Sequence, residues 1–384
     1  MIIREFLNWV ESAPDAPRAD AAGALARAWI YSDLSEEDRR GAAAALTFLL
    51  DDPCPEVREA LARSLAEHSQ APRHVILSLS EDVETIAEIV LKSSPVFTEV
   101  ELVDALAQGS DRIQCAIAGR KGLQPVVAAA LAEVGCARAC QVMLENRSAE
   151  ILRSSLVRIA ERHEAVLPVS EALLNRPGLS LTLRHKLLSR FAERLESHPM
   201  FAEKVPDHLK EEFLADAADK VTLHLALEAS DAEMPDFVEH LRAEALLTTK
   251  FLLRAVCCGR LRLFAAALSL LGNVPPDRLR HLLMSVRLSA LKAVLRKSGL
   301  PLRSHQAFLL AIEIARSAEA DFTRDMSLEQ ARTLTEALLS EIQDGALGAD
   351  EDIAAFLRRF AVDVARLEAR AFVKGRMQKA LKAA

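Results

Sequence analysis

Asp52-Pro-Cys-Pro-Glu-Val-Arg-Glu-Ala-Leu-Ala-Arg-Ser-Leu-Ala66 is the stretch that decides the fold. Asp52 is placed to cap a helix, and Pro55 suits a first turn whose N–H would go unbonded anyway. Val57, Leu61 and Leu65 then follow at four-residue steps on one helical face. A turn at Pro72 leads to a shorter apolar helix over 75–79. The phrase returns, with helix starts near Asp82, Arg112, Ala137 and Val166, at intervals of 26, 30, 25 and 29 residues counted from Glu56. Second helices are expected at 98–107, 125–134, 149–161 and 180–195, the first opened by a Thr98/Glu101 capping box and stopped at Gly109. Each helix pair is apolar on two faces, which a lone hairpin cannot bury, whereas stacked neighbours can. The sequence therefore predicts an all-α fold: a helical-repeat solenoid over 52–197, with residues 1–51 as helices capping its start.

Working outward, Lys92, Arg120, Arg147 and Arg176 each follow an apolar helix end, at spacings of 28, 27 and 29 residues. They are expected to form a ladder along one edge, either complementing helix C-termini or facing a ligand. Beyond residue 197 the period is lost, and 198–345 reads as a second all-helical domain. There the stretch Asn273-Val-Pro-Pro-Asp277 opens a helix expected to run to Lys297 and to be central, because Leu279, Leu282, Leu283, Val286, Leu288, Leu291, Val294 and Leu295 surround it. Ser327 with Gln330 is a second capping box, and Gly345 and Gly348 end that helix. The remainder, 346–384, reads as a long amphipathic C-terminal helix. Ile353, Leu357, Phe360, Val364, Leu367 and Ala371 make its seam, expected to pack on its own domain, with a homodimer contact as the other reading. Its end is basic, with Arg370, Lys374, Arg376, Lys379 and Lys382.

The composition agrees. Of 384 residues, 51% are hydrophobic and only 4% aromatic, with 13 Gly and 15 Pro, which excludes a disordered polar chain or a large sheet. The net charge of −7 hides a segregation: 200–249 holds 4 basic and 12 acidic residues, and 250–304 holds 11 basic residues against Asp277 alone. Arg254, Arg260, Arg262, Arg278 and Arg280 are the candidate anion-binding residues of that basic block. A basic face that covers the acidic block within the chain would explain the same residues.

The phrase around Asp52 resembles HEAT-like helical repeats. With the phrases Leu91-Lys-Ser-Ser-Pro95, Ala116-Ile-Ala-Gly-Arg120, Val142-Met-Leu-Glu-Asn146 and Leu247-Thr-Thr-Lys-Phe-Leu-Leu-Arg254, the chain resembles an uncharacterised, mostly alphaproteobacterial family, domain of unknown function 2336. The likeness spans roughly residues 45–310 and implies an all-α repeat fold without established catalytic residues.

Signs of chemistry are missing. No phosphate-cradling glycine loop, nucleophile elbow or zinc-protease motif occurs, and no His stands at metal-ligand spacing beside the six cysteines, which read as buried free thiols. No cofactor is expected. DNA glycosylases on HEAT-like repeats use aromatic residues on the damaged base, but only Trp9 and Trp29 exist here, both in an acidic block. Residues 1–10 carry Arg4 and Glu5 without an apolar core, so no signal peptide is expected, and no run is long enough to span a bilayer. The expectation is a cytoplasmic, non-catalytic scaffold that docks a protein partner. The alternative is a binder of a polyanion, nucleic acid or a phosphorylated ligand, through 250–304.

Overall fold

The structure is a computed structural model; it describes residues 9–10, 12–197, 207–285, 287–317, 322–343, 355–362, 365–366 and 369. The described residues are helical, with no strand among them, and divide into two compact units, Met1–Ser180 and Leu181–Ala384.

The first unit is repeat-like. It runs α1 Asp15–Tyr31, α2 Glu36–Phe48, α3 Pro55–Leu65, α4 Arg73–Ser80, α5 Glu84–Ser93, α6 Glu99–Gln108, α7 Asp111–Ala118, α8 Pro125–Val134, α9 Ala137–Glu145, α10 Arg153–His163 and α11 Leu167–Leu174. The first helices of successive pairs pack on one another in the order α1, α3, α5, α7, α9, α11, and the second helices α6, α8 and α10 do the same. Val57, Leu61 and Leu65 are fully buried against Val75, Ile76 and Leu79. The Thr98/Glu101 capping box is present, with Thr98 N–H donating to Glu101 Oε2 at 2.9 Å.

Asp52 has a different role from the cap read in the sequence. The helix begins at Pro55 with Cys54 in the capping position. Asp52 accepts the Cys54 N–H at 2.9 Å and the fork of Arg18 at 2.9 Å through each oxygen. Arg58 repeats this one pair later, donating to Asp82 at 2.6 and 2.9 Å. Burial works against both carboxylates, yet the guanidinium and N–H donors hold their pKa values below the usual range.

The second unit contains α12 Leu181–Ser197, α13 Asp207–Glu228, α14 Met234–Ala243, α15 Thr249–Cys257, α16 Leu261–Gly272, α17 Pro276–Met284, α18 Leu288–Lys297, α19 His305–Ser317 and α20 Leu328–Gln343. The helix α12, read in the sequence as the last repeat's second helix, packs here on α13 and α14. The core holds Phe251, Phe264 and Phe308, the last two stacked at 5.8 Å. Leu357 and Phe360 of the C-terminal segment are buried in it. The other seam positions, Ile353, Val364, Leu367 and Ala371, and the basic end from Arg370 onward lie outside the described residues, as does Val286.

The long central helix expected to run to Lys297 is two helices, α17 and α18. Ser285 is extended at ψ 151° and ends α17. The break lets Leu279 and Leu283 on one piece, and Leu291, Val294 and Leu295 on the other, all bury. Met284 and Leu288 at the break are exposed instead. The all-round apolar pattern is thus two short amphipathic helices.

A histidine pair, His185 buried and His240 half-buried, joins α12, α13 and α14. The Thr222 hydroxyl donates to Ala218 O at 2.8 Å, so it accepts from His185 Nε2 at 2.9 Å. His185 Nδ1 then accepts from His240 Nε2 at 3.2 Å. Burial, with His240 beside it, pushes the His185 pKa down to about 4, although Glu244 pulls the other way. Lys186 faces His240, whose pKa is also lowered, by burial first. The folded state therefore holds fewer protons than the unfolded one between roughly pH 6.5 and 4, and stability from His185 is lost as pH falls through that window, by up to about 3 kcal/mol. Asp219, raised to about 6 by burial, acts with the opposite sign over the same range. Chemical denaturation of wild type against His185→Leu isolates the histidine: the variant is expected to gain on wild type steadily from neutral pH to about pH 4. A pH-independent difference would show that His185 titrates alike in the folded and unfolded states.

Candidate interface on the edge of the repeat stack

The predicted basic ladder resolves into a structural and an exposed part. Arg120 donates to Leu91 O and, at 2.6 Å, to Ser94 O, where α5 ends. Asn146 donates to Ala118 O at 3.0 Å and Arg120 O at 2.7 Å, where α7 ends. Arg176 donates to Leu144 O at 3.0 Å, to Asn146 O at 2.8 Å and to Ala149 O, where α9 ends. Each rung thus bonds carbonyls at or just past the end of the preceding repeat's helix, Leu91, Ala118 and Leu144 being the last-turn ones. The partners are carbonyls, not carboxylates, and burial lowers both guanidinium pKa values from the ordinary. Arg120 and Arg176 are therefore committed within the fold, and the middle rung is Asn146. Arg147 and Lys92 are exposed.

The ladder stitches together the turns that lead into α6, α8 and α10. The Glu150 N–H bonds Leu123 O at 3.0 Å, and Arg162, at the end of α10, bonds Ala132 O at 2.8 Å and Gly135 O at 3.1 Å at the end of α8. Start lies beside start and end beside end, so these helices run side by side in one direction. At their starts stand Val100, Val126 and Leu152, spaced by 26 residues and 68%, 55% and 53% exposed. Sequence reading missed them. The signal is a 26-residue step to a helix start, Val100 and Val126 being the second residues of α6 and α8 and Leu152 the residue before α10, and it gives no exposure.

At the same edge a groove of about 630 Å³ lies between α9 and α11 and their following turns. Leu144, Pro168 and Ala172 supply its apolar wall, and Glu145, Arg147, Glu171 and Arg176 its charges.

The basic segment 250–304 also divides. Arg254 is buried and pairs with Asp216 and, at 3.3 Å, with Asp219. Arg260 is half-buried and faces Asp325. Arg262 donates to Ala229 O at 2.8 Å and Asp231 at 2.7 Å. These three serve the chain's own acidic residues. Arg278 and Arg280 are exposed, as are Arg287, Lys292, Arg296 and Lys297 on the same helical hairpin.

All six cysteines are free, with Cys140 and Cys257 buried. Burial pushes the Cys140 thiol up to about 11. Among the described residues, no group of three or more His, Cys, Asp or Glu is placed to hold a metal ion, and no helix is long and apolar enough to cross a membrane.

The family model for an uncharacterised protein conserved in bacteria, DUF2336, matches residues 86–348. It starts later and ends later than the likeness read from the sequence phrases. No curated protein and no solved structure matches the chain.

Proposed function

The chain belongs to the DUF2336 family of bacterial proteins, and from that premise and the geometry of its repeat edge we propose that it is a non-catalytic solenoid scaffold that docks a protein partner in the cytoplasm. The observation that carries this reading is the exposed row Val100, Val126 and Leu152 at the starts of three adjacent helices. Packed helices lie about 10 Å apart, so the row spans roughly 20 Å. A partner helix with apolar residues at seven-residue steps, about 10.5 Å each, matches that spacing. The charged groove beside α9 and α11 would fix its direction and register.

The test is affinity capture from the native bacterial extract with wild type and with V100D/V126D/L152D. Three carboxylates on already exposed positions should leave folding nearly unchanged and remove any partner held by the row. Equal capture by both proteins would exclude this edge.

A second reading rests on the exposed cations of α17 and α18, which face water with Asp277 as the one acid of 250–304. They suit a polyanion held by charge, since no Phe, Tyr or Trp stands on either helix to stack on bases. In the same experiment this reading predicts capture that disappears with nuclease or moderate salt and survives the three aspartates.

A further inference from the structure

Within the second unit, between α14 and α16, lies a hollow of about 450 Å³. It is remote in sequence from the repeat edge and independent of the scaffold reading. The hollow exists because α16 lines it with Ala265, Ala266 and Ser269, whose short side chains leave open the space that larger residues fill in an ordinary helix contact. Met234, Val238 and Phe322 are buried and give it an apolar floor. Two cations, Arg262 and Arg280, stand on its polar side together with Asp231.

Both arginines hold carboxylates that are easily displaced. Arg262 is fixed by Ala229 O and by Asp231, whose side chain is 95% exposed. Arg280 pairs with the exposed Asp277 at 3.3 Å. An exposed ion pair contributes little, and a released carboxylate regains its water, so an incoming anion can take its place. Asp325, which also faces Arg262, does not line the hollow. Size, apolar walls and a few placed polar groups are the marks of a small-molecule site.

We propose that this hollow binds a small amphipathic carboxylate. Its acyl or aryl body lies against Val238 and Phe322, and its carboxylate is gripped by Arg262 and Arg280, whose planar forks suit two-point recognition.

Calorimetric titration of the full chain with decanoate tests this, with decanol as the uncharged probe of equal length. Decanoate should bind saturably at one site, and decanol at least about tenfold more weakly. Arg280→Glu, at an exposed position, should weaken decanoate about tenfold or more and leave decanol unchanged. Ala266→Phe, which fills the hollow, should remove both. Absence of saturable decanoate binding, equal affinity for decanol, or wild-type decanoate binding by Arg280→Glu would each overturn the proposal. The Arg280 arm decides the matter even if the bulkier variant does not fold.

Discussion

Arg254→Ala is expected to lower the stability of the second unit by about 3 kcal/mol at neutral pH, the scale for breaking a buried pair by removing one partner. The Arg254 side chain is 8% exposed and answers both Asp216 and Asp219 from α15. Asp219 already has its pKa raised to about 6 by burial, with Arg254 pulling it down and Asp216 pushing it up. Without the guanidinium, Asp219 rises further and takes up a proton at neutral pH instead of remaining a buried charge. A carboxylate whose folded pKa lies above its unfolded value loses stability as pH rises, so the deficit of the variant should shrink on acidification toward pH 5. The readout separates the units, because the two tryptophans and the single tyrosine, Trp9, Trp29 and Tyr31, all lie in the first. Far-UV circular dichroism should show an early loss of helix in Arg254→Ala while tryptophan fluorescence melts as in wild type. Replacing Asp219 with Leu beside Arg254→Met should restore part of the loss; a lack of coupling between the two sites would show that the pair carries no stability.

The second large effect falls on the first unit. Arg120→Gln with Arg176→Gln should lower its stability by about 4 kcal/mol, roughly 2 for each charged donor that leaves helix-end carbonyls unbonded. These side chains answer Leu91, Ser94, Leu144, Asn146 and Ala149, so their loss should loosen the joins between repeats and leave each helix pair's own core in place. Fluorescence from Trp29, whose Nε1 donates to Gln70 O at 2.9 Å, should report the earlier transition. Unfolding at the wild-type denaturant concentration would mean that water serves those carbonyls equally well.

The repeats were legible in the sequence because their signal is local. Val57, Leu61 and Leu65 lie within one helix, so a four-residue step already tells which face is buried. What decides the edge is not local. Arg147 stands one residue from the rung that bonds the preceding turn, and only the geometry shows that the amide of Asn146 takes that place. The fate of the basic segment was equally hidden, since Asp216 lies 38 residues from the Arg254 it neutralises. Nor does any spacing within α12 say that it packs on α13 and α14. The split of the 276–297 stretch at Ser285 follows from which leucines the neighbouring helices can cover, a tertiary demand that overrides a pattern with helical propensity throughout. The hollow between α14 and α16 left only a faint mark, two alanines and a serine on a helix otherwise rich in leucine.

In the proposed scaffold the ladder arginines hold the repeats together, and binding belongs to the exposed apolar row they align. Thermal melting and partner capture measured side by side on V100D/V126D/L152D and on Arg120→Gln/Arg176→Gln test it most directly. The aspartate variant is expected to melt with wild type and lose its partner. The glutamine variant should melt roughly 10 °C lower, at about 2–4 °C per kcal/mol, and keep its partner at temperatures where it is folded. The reverse pattern, an unchanged melt with lost capture for the glutamines and retained capture for the aspartates, would contradict it and return the arginines to the binding surface.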